Sequence, residues 1–205
     1  MRRRIARLRG SDGYTLVELL TVLVIFTVIL TALVGLFVQG SNAEVELNRR
    51  FEAQQTARLA LDKLRREIHC ASEAETIGGT GASAEVTLRV PSYCPTSGGA
   101  PADVRWCTVS VGTSRYSLYR TPSAPCNATG VKWADYLTQA AIFDFQTQDP
   151  TRRARMRIEL PVDTKPGDAV PAYTLCDVIV FRNSLRATPT TSMLGYTDTA
   201  DLASC

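Results

Sequence analysis

Polar and apolar positions follow three different periods along this chain. From Leu19 to Val38 the residues LLTVLVIFTVILTALVGLFV form an uninterrupted apolar run without a charge. At 1.5 Å per residue a helix of that length covers about 30 Å, one bilayer core. Thr21, Thr27 and Thr31 return their hydroxyls to the helix backbone and do not break the span. Leu47, Phe51, Ala57, Leu61, Leu64 and Ile68 then recur every three or four residues, apart from one six-residue step. That period predicts an amphipathic helix whose stripe packs on a sheet, with a partner helix as the alternative occupant. One helix from Tyr14 to about His69 is on the order of 80 Å long. Gly35 and Gly40 are its expected bend.

Beyond Gly78-Gly79-Thr80-Gly81 the period drops to two. That glycine run has no P-loop Lys-Ser/Thr and precedes a strand, so it reads as a connector. Glu85–Val90, Val104–Val111, Arg115–Arg120, Ile142–Phe145, Arg155–Leu160 and Tyr173–Phe181 read as strands. The second and third flank Gly112-Thr113-Ser114 as a hairpin. Prolines 91, 95, 101, 122, 125, 161, 166 and 171 punctuate loops, and Asp177–Phe181 reads as the most buried strand. A long helix followed by short antiparallel strands is an α+β fold. The expected organisation is a leader at 1–13, a transmembrane or filament-core helix at 14–40, an amphipathic helix at 41–75 and a β-rich head at 76–205.

Charge adds an orientation. The chain has 205 residues and a net charge of +3. Five arginines against Asp12 give the first 13 residues +4, so the remainder carries −1. A basic stretch before a span predicts a cytoplasmic N-terminus with the head outside. The remainder exerts no global pull on nucleic acid. A secretory signal peptide is the rival reading, but its apolar region is typically about 7–15 residues and ends in a small-residue cleavage site. Gln39-Gly40-Ser41-Asn42 is a poor match to such a site.

Immediately before the span stands Gly13-Tyr14-Thr15-Leu16-Val17-Glu18. An acid at the edge of an apolar helix either stays among lipid headgroups near the helix N-terminus or has a partner. The whole string resembles the type IV prepilin signature: a basic leader ending in glycine, an aromatic residue, Thr-Leu-Val-Glu, then an apolar helix. The resemblance implies cleavage between Gly13 and Tyr14 by prepilin peptidase on the cytoplasmic face, and N-methylation of Tyr14. It also implies that Glu18 pairs with the new N-terminal amine of a neighbouring pilin or pseudopilin. Tyr14 stands where phenylalanine is commonest, and Gly35 where many major pilins carry proline. Ala57–Ile68 is similar to the post-membrane helix of the large W-type minor pilins and the J-type pseudopilins of type II secretion. The implied destination is a cell-surface or periplasmic filament that the subunit primes or caps. A membrane-anchored extracellular binding domain is the reading outside that class.

Six cysteines, Cys70, Cys94, Cys107, Cys126, Cys176 and Cys205, all fall outside the cytoplasm on this topology, and an even count there predicts disulfides. Cys205 ends the chain and Cys176 precedes Asp177–Phe181; neither has another obvious partner, so they are expected to pair. The other four allow three pairings. No constellation supports an enzyme, a metal or a cofactor. His69 beside Cys70 imitates a thiolate–imidazole pair, but neighbours on a helix point apart. Arg153, Arg155 and Arg157 share a strand face opposite Met156 and Ile158, ordinarily a solvated one; Arg152 precedes them. Asp163 with Asp168, and Asp198 with Asp201, lack EF-hand spacing and read as turns. Asn127-Ala128-Thr129 matches a glycosylation sequon.

Overall fold

The computed structural model describes residues 14–77, 83–122, 125–146, 153–167, 172–183 and 205. The leader, the glycine connector, Arg152, Asp168, Pro171, Asp198 and Asp201 lie outside them. The chain forms two compact units, divided between Leu47 and Asn48. One α-helix, α1 (Leu16–Cys70), passes through both. In the first unit its apolar side chains are exposed all round, from Leu16 at 76% to Val38 at 50%, as suits a hydrocarbon or helix-bundle environment rather than water. The helix is long and apolar enough to cross a bilayer. Gly35 and Gly40 do not interrupt its hydrogen bonding. Thr21, Thr27 and Thr31 donate to the carbonyls of Glu18, Val24 and Thr27 at 2.8–2.9 Å.

The second unit holds the last part of α1 and, among the described residues, an antiparallel sheet of eight strands. These are β1 (Glu73–Ile77), β2 (Glu85–Val90), β3 (Ala102–Gly112), β4 (Arg115–Thr121), β5 (Val131–Leu137), β6 (Phe143–Gln146), β7 (Arg155–Val162) and β8 (Tyr173–Val180). Their order is β1-β2-β3-β4-β5-β7-β6, with β8 also paired to β7. The sheet curls. β5 touches β7 at one pair, Leu137 and Val162, and Ser83, just ahead of β2, exchanges backbone hydrogen bonds with Phe143 of β6. Alternation puts Val86, Leu88, Val90, Val104, Trp106, Leu118, Met156, Ile158 and Leu160 inside with the α1 side chains Ala57, Ala60, Leu64 and Ile68. The β3–β4 turn is the expected hairpin, with Ser114 at φ 52°.

Four expectations are corrected. Leu47 and Phe51 are not on the packed stripe but 66% and 67% exposed, while Ala53 and Ala60 are buried. The six-residue step from Phe51 to Ala57 turns a helix by about 240°, which carries the earlier residues off the face. Asp177–Phe181 is not the most buried strand. Among the described residues β8 pairs with β7 alone, and within it only Ile179 is buried. β7, paired on both sides, buries Met156, Ile158 and Leu160–Val162. Pro161 therefore lies in a strand rather than a loop, near the end of β7, where its carbonyl accepts from Thr138 N–H. Finally, β1 and β5 are strands that periodicity missed. Glu73-Ala74-Glu75 lacks an apolar alternation, and bulges shift the register between β4 and β5.

Candidate functional site

Thr15 caps α1. Its Oγ1 accepts the Glu18 N–H at 3.3 Å and its carbonyl accepts the Leu19 N–H at 3.2 Å. Thr15-Leu16-Val17-Glu18 is thus the S/T-x-x-E helix-start pattern, a local signal that accounts for where the helix begins. The Glu18 side chain is exposed and makes no hydrogen bond or ion pair with any described residue. Tyr14 is 81% exposed. Gly13 lies outside the described residues. The segment therefore presents one carboxylate, in the first turn of an apolar helix, with no partner in its own described chain. Near the positive end of the helix that charge is favoured, and in a dehydrated setting it needs a cation.

The head is held by three disulfides: Cys70–Cys94, Cys107–Cys126 and Cys176–Cys205, with Cα separations of 6.0, 6.2 and 5.4 Å. Cys70 is therefore no thiolate, and His69 instead places Nδ1 2.9 Å from the Val180 carbonyl. Arg157 bonds Glu159 at 2.6 Å, Arg155 bonds Gln146, and Arg153 donates to the Arg182 carbonyl at 3.3 Å. Each of these three arginines thus has a hydrogen-bond partner within the head. Asp163 accepts the Lys165 N–H at 2.8 Å as a turn, and Asn127 Oδ1 accepts the Thr129 N–H at 3.1 Å and its hydroxyl. Among the described residues no three His, Cys, Asp or Glu side chains gather as metal ligands.

Sequence reasoning missed the polar contacts that seat α1 on the sheet. Glu67 is fully buried although charged residues flank it in sequence. Its Oε2 accepts from Trp106 Nε1 at 2.7 Å, and Oε1 lies 3.0 Å from Arg120 Nε and 3.2 Å from Lys63 Nζ. On the β8 side, Arg65 bonds Asp177 at 2.7 Å and Arg58 donates to the Tyr173 hydroxyl at 2.8 Å. The Asp177 carboxylate raises the Arg65 pKa further above its already high value. On the β5 side, burial pushes the Asp135 carboxyl up. Hydrogen bonds from Ser117, the Tyr136 N–H and Lys132 outweigh this and leave it below the ordinary carboxylate range. Lys132 is raised in turn by Asp135. A groove of about 210 Å³ opens there between Arg49, Glu52 and Thr56 of α1 and Lys132, Trp133 and Tyr136 of β5.

Residues 8–34 match the family described as the prokaryotic N-terminal methylation motif. No curated protein and no solved structure matches the chain. The matched segment, the single apolar N-terminal helix and the curled antiparallel sheet make the chain type IV pilin-like. The motif implies processing by prepilin peptidase and partners of the pilin type, and with the apolar helix it supports a membrane-anchored protein.

Proposed function

We propose that this protein is a minor pilin or pseudopilin, a structural subunit that primes or caps a type IV pilus-like filament. Prepilin peptidase cuts between Gly13 and Tyr14 on the cytoplasmic face, Tyr14 is N-methylated, and the head stands outside the cytoplasm. Cleavage removes the arginines that hold the N-terminus in the cytoplasm and creates a cation at Tyr14. The observation that carries the reading is the Glu18 carboxylate, which has no partner in its own described chain, inside a segment that matches the methylation motif. In a bundle of apolar helices the amine of one subunit and the Glu18 of the next satisfy each other. The helix can then leave the bilayer because its next surroundings are equally apolar. Mass spectrometry of the N-terminal peptide from native cells tests processing: the expected peptide starts at Tyr14 and carries one added methyl. A peptide starting at Met1 or Arg2 overturns the assignment. Glu18→Val should be cleaved normally and enter filaments poorly; wild-type incorporation removes the role given to Glu18.

A further inference from the structure

We propose that the head is oxidised in the order in which its cysteines leave the cytoplasm, by a dithiol–disulfide oxidase on the far side. Cys70–Cys94 is then closed before Cys107 arrives, and no isomerase is needed. The inference rests on the orientation proposed above, with the head outside the cytoplasm.

The connectivity is the first support. Six cysteines allow fifteen pairings. The one present joins first to second, third to fourth and fifth to sixth, at sequence separations of 24, 19 and 29. Each bridge is therefore complete along the chain before the next begins. The first one also closes a local unit. β1 and β2 pair antiparallel with Glu73 against Arg89, and the Ser72 N–H donates to the Arg89 carbonyl at 3.0 Å. Cys70, at the end of α1, and Cys94, in the loop after β2, lie just beyond that open end of the hairpin. The hairpin that aligns them contains no residue beyond Cys94.

The second support is a competitor that chain statistics favour and the fold forbids. Thirteen positions separate Cys94 from Cys107, fewer than separate Cys94 from Cys70. Closure frequency falls as the 3/2 power of loop length, so in an unfolded chain Cys94 meets Cys107 about 2.5 times as often as Cys70. The sheet has no place for that pair. Cys94 belongs to the core cluster, whereas Trp106 points inward and its neighbour Cys107 to the other face. Cys107 also stands opposite Glu85, five strand residues or about 17 Å from the Val90 end of the ladder, beyond which Cys94 lies. A disulfide spans Cα atoms no more than about 7 Å apart. A chain bridged from Cys94 to Cys107 therefore cannot complete the β2–β3 ladder until that bond is exchanged.

Order of arrival removes the competitor. A chain that crosses the membrane from its N-terminal side presents Cys70, then Cys94, and Cys107 only thirteen residues later. At about 5–20 residues per second that interval is about 0.6–3 s. Each later cysteine then meets at most one free thiol of its own chain: Cys94 meets Cys70, Cys126 meets Cys107, and Cys205 meets Cys176. The earlier thiolate attacks the oxidase disulfide, forming a mixed disulfide and releasing one oxidase thiol. The later thiolate attacks the chain sulfur of that bond and expels the second. Per bridge the chain gives up two protons and two electrons, and one oxidase disulfide becomes a dithiol.

The test is cell-free synthesis of the full chain into inverted inner-membrane vesicles whose lumen holds the oxidase and no isomerase. Pairs are read by alkylation and non-reducing peptide mapping. Nearly every protease-protected head should carry Cys70–Cys94. The same full chain, reduced, denatured and diluted all at once into micelles with the same oxidase, should behave differently. In samples quenched early, Cys94–Cys107 should be about 2–3 times as abundant as Cys70–Cys94. Cys107→Ser with Cys126→Ser removes the competitor and should raise the Cys70–Cys94 fraction of those samples about threefold; an unchanged fraction overturns the proposal. Native pairing of the wild-type chain in the early samples also overturns it, because folding and not order then selects the pairs. Cys94–Cys107 bridges on protected heads overturn it while leaving the orientation intact. Heads open to protease with six free thiols overturn both the proposal and the orientation on which it rests.

Discussion

Gly130 stands where the chain turns into β5, and the sheet leaves no space for a larger residue. A Cβ built there lies 2.4 Å from Thr121 Cγ2 and 2.7 Å from the Arg120 carbonyl oxygen. Ordinary contacts between carbon atoms are about 3.5–4.0 Å. Thr121 is buried and cannot swing aside, and the carbonyl is backbone. Gly130→Ala can be relieved only by moving the loop, which opens the neighbouring pairs Arg120–Val131 and Tyr119–Lys132 between β4 and β5. Cys126, bonded to Cys107, restrains that movement from the other side. Overpacking of this kind destabilises by about 3 kcal/mol at the upper end of its usual range. A stiffer unfolded chain offsets about 0.7 kcal/mol. The net loss of about 2 kcal/mol corresponds to a fall of about 4–8 °C in Tm for a protein of this size. Thermal unfolding of the full chain in micelles, followed by circular dichroism without reductant, measures it. Gly112→Ala is the control, since a Cβ there meets nothing within 4 Å. Equal Tm values for the two variants refute the steric argument.

Loss of the Cys176–Cys205 bridge, by Cys176→Ser with Cys205→Ser, frees a loop with a sequence separation of 29 residues. Chain entropy then predicts a destabilisation of about 3.5 kcal/mol, read as a lower guanidinium midpoint; an unmoved midpoint contradicts it. The Asp135 pKa is depressed in the fold, so its stabilisation is present above the unfolded value and disappears as pH falls through the folded one. Asp135→Asn should therefore be less stable than wild type at neutral pH, with the difference closing below about pH 4; an equal gap at both pH values refutes the linkage. Arg153, Arg155 and Arg157 changed together to Ala should leave filament incorporation unaltered. A loss of DNA uptake or adhesion in that triple variant would assign the basic face a function beyond its contacts within the head.

The sequence was most legible where one kind of residue interrupts another. An uncharged run of apolar residues after a cluster of arginines has few physical meanings, and Glu18 stands out because nothing nearby resembles it. The strands with clean alternation, β2 and β7, are equally visible, since a half-buried strand imposes a period of two on whatever residues fill it. Where the physics does not impose a period, the reading failed. β8 carries the apolar run Val178-Ile179-Val180 yet pairs, among the described residues, with β7 alone, because composition reports affinity for a sheet and not position within it. β5 carries bulges, and each bulge resets the alternation that would reveal the strand.

The two acids of α1 show the same limit at the level of a single residue. Glu18 is exposed in an apolar setting, so its charge contradicts its surroundings and invites a partner. Glu67 is buried, yet Arg65, Arg66 and Lys63 surround it in sequence, and there a glutamate contradicts nothing. Its environment is made by Trp106 and Arg120, 39 and 53 residues further on. Only the sheet brings those donors to one point, and only the fold shows that the helix face on which Glu67 lies is the inner one. A charge that its own surroundings do not satisfy can thus be read from local contrast. A charge that anchors a chain to itself is written in residues far apart, and its role is apparent once the strands that hold its partners have been placed.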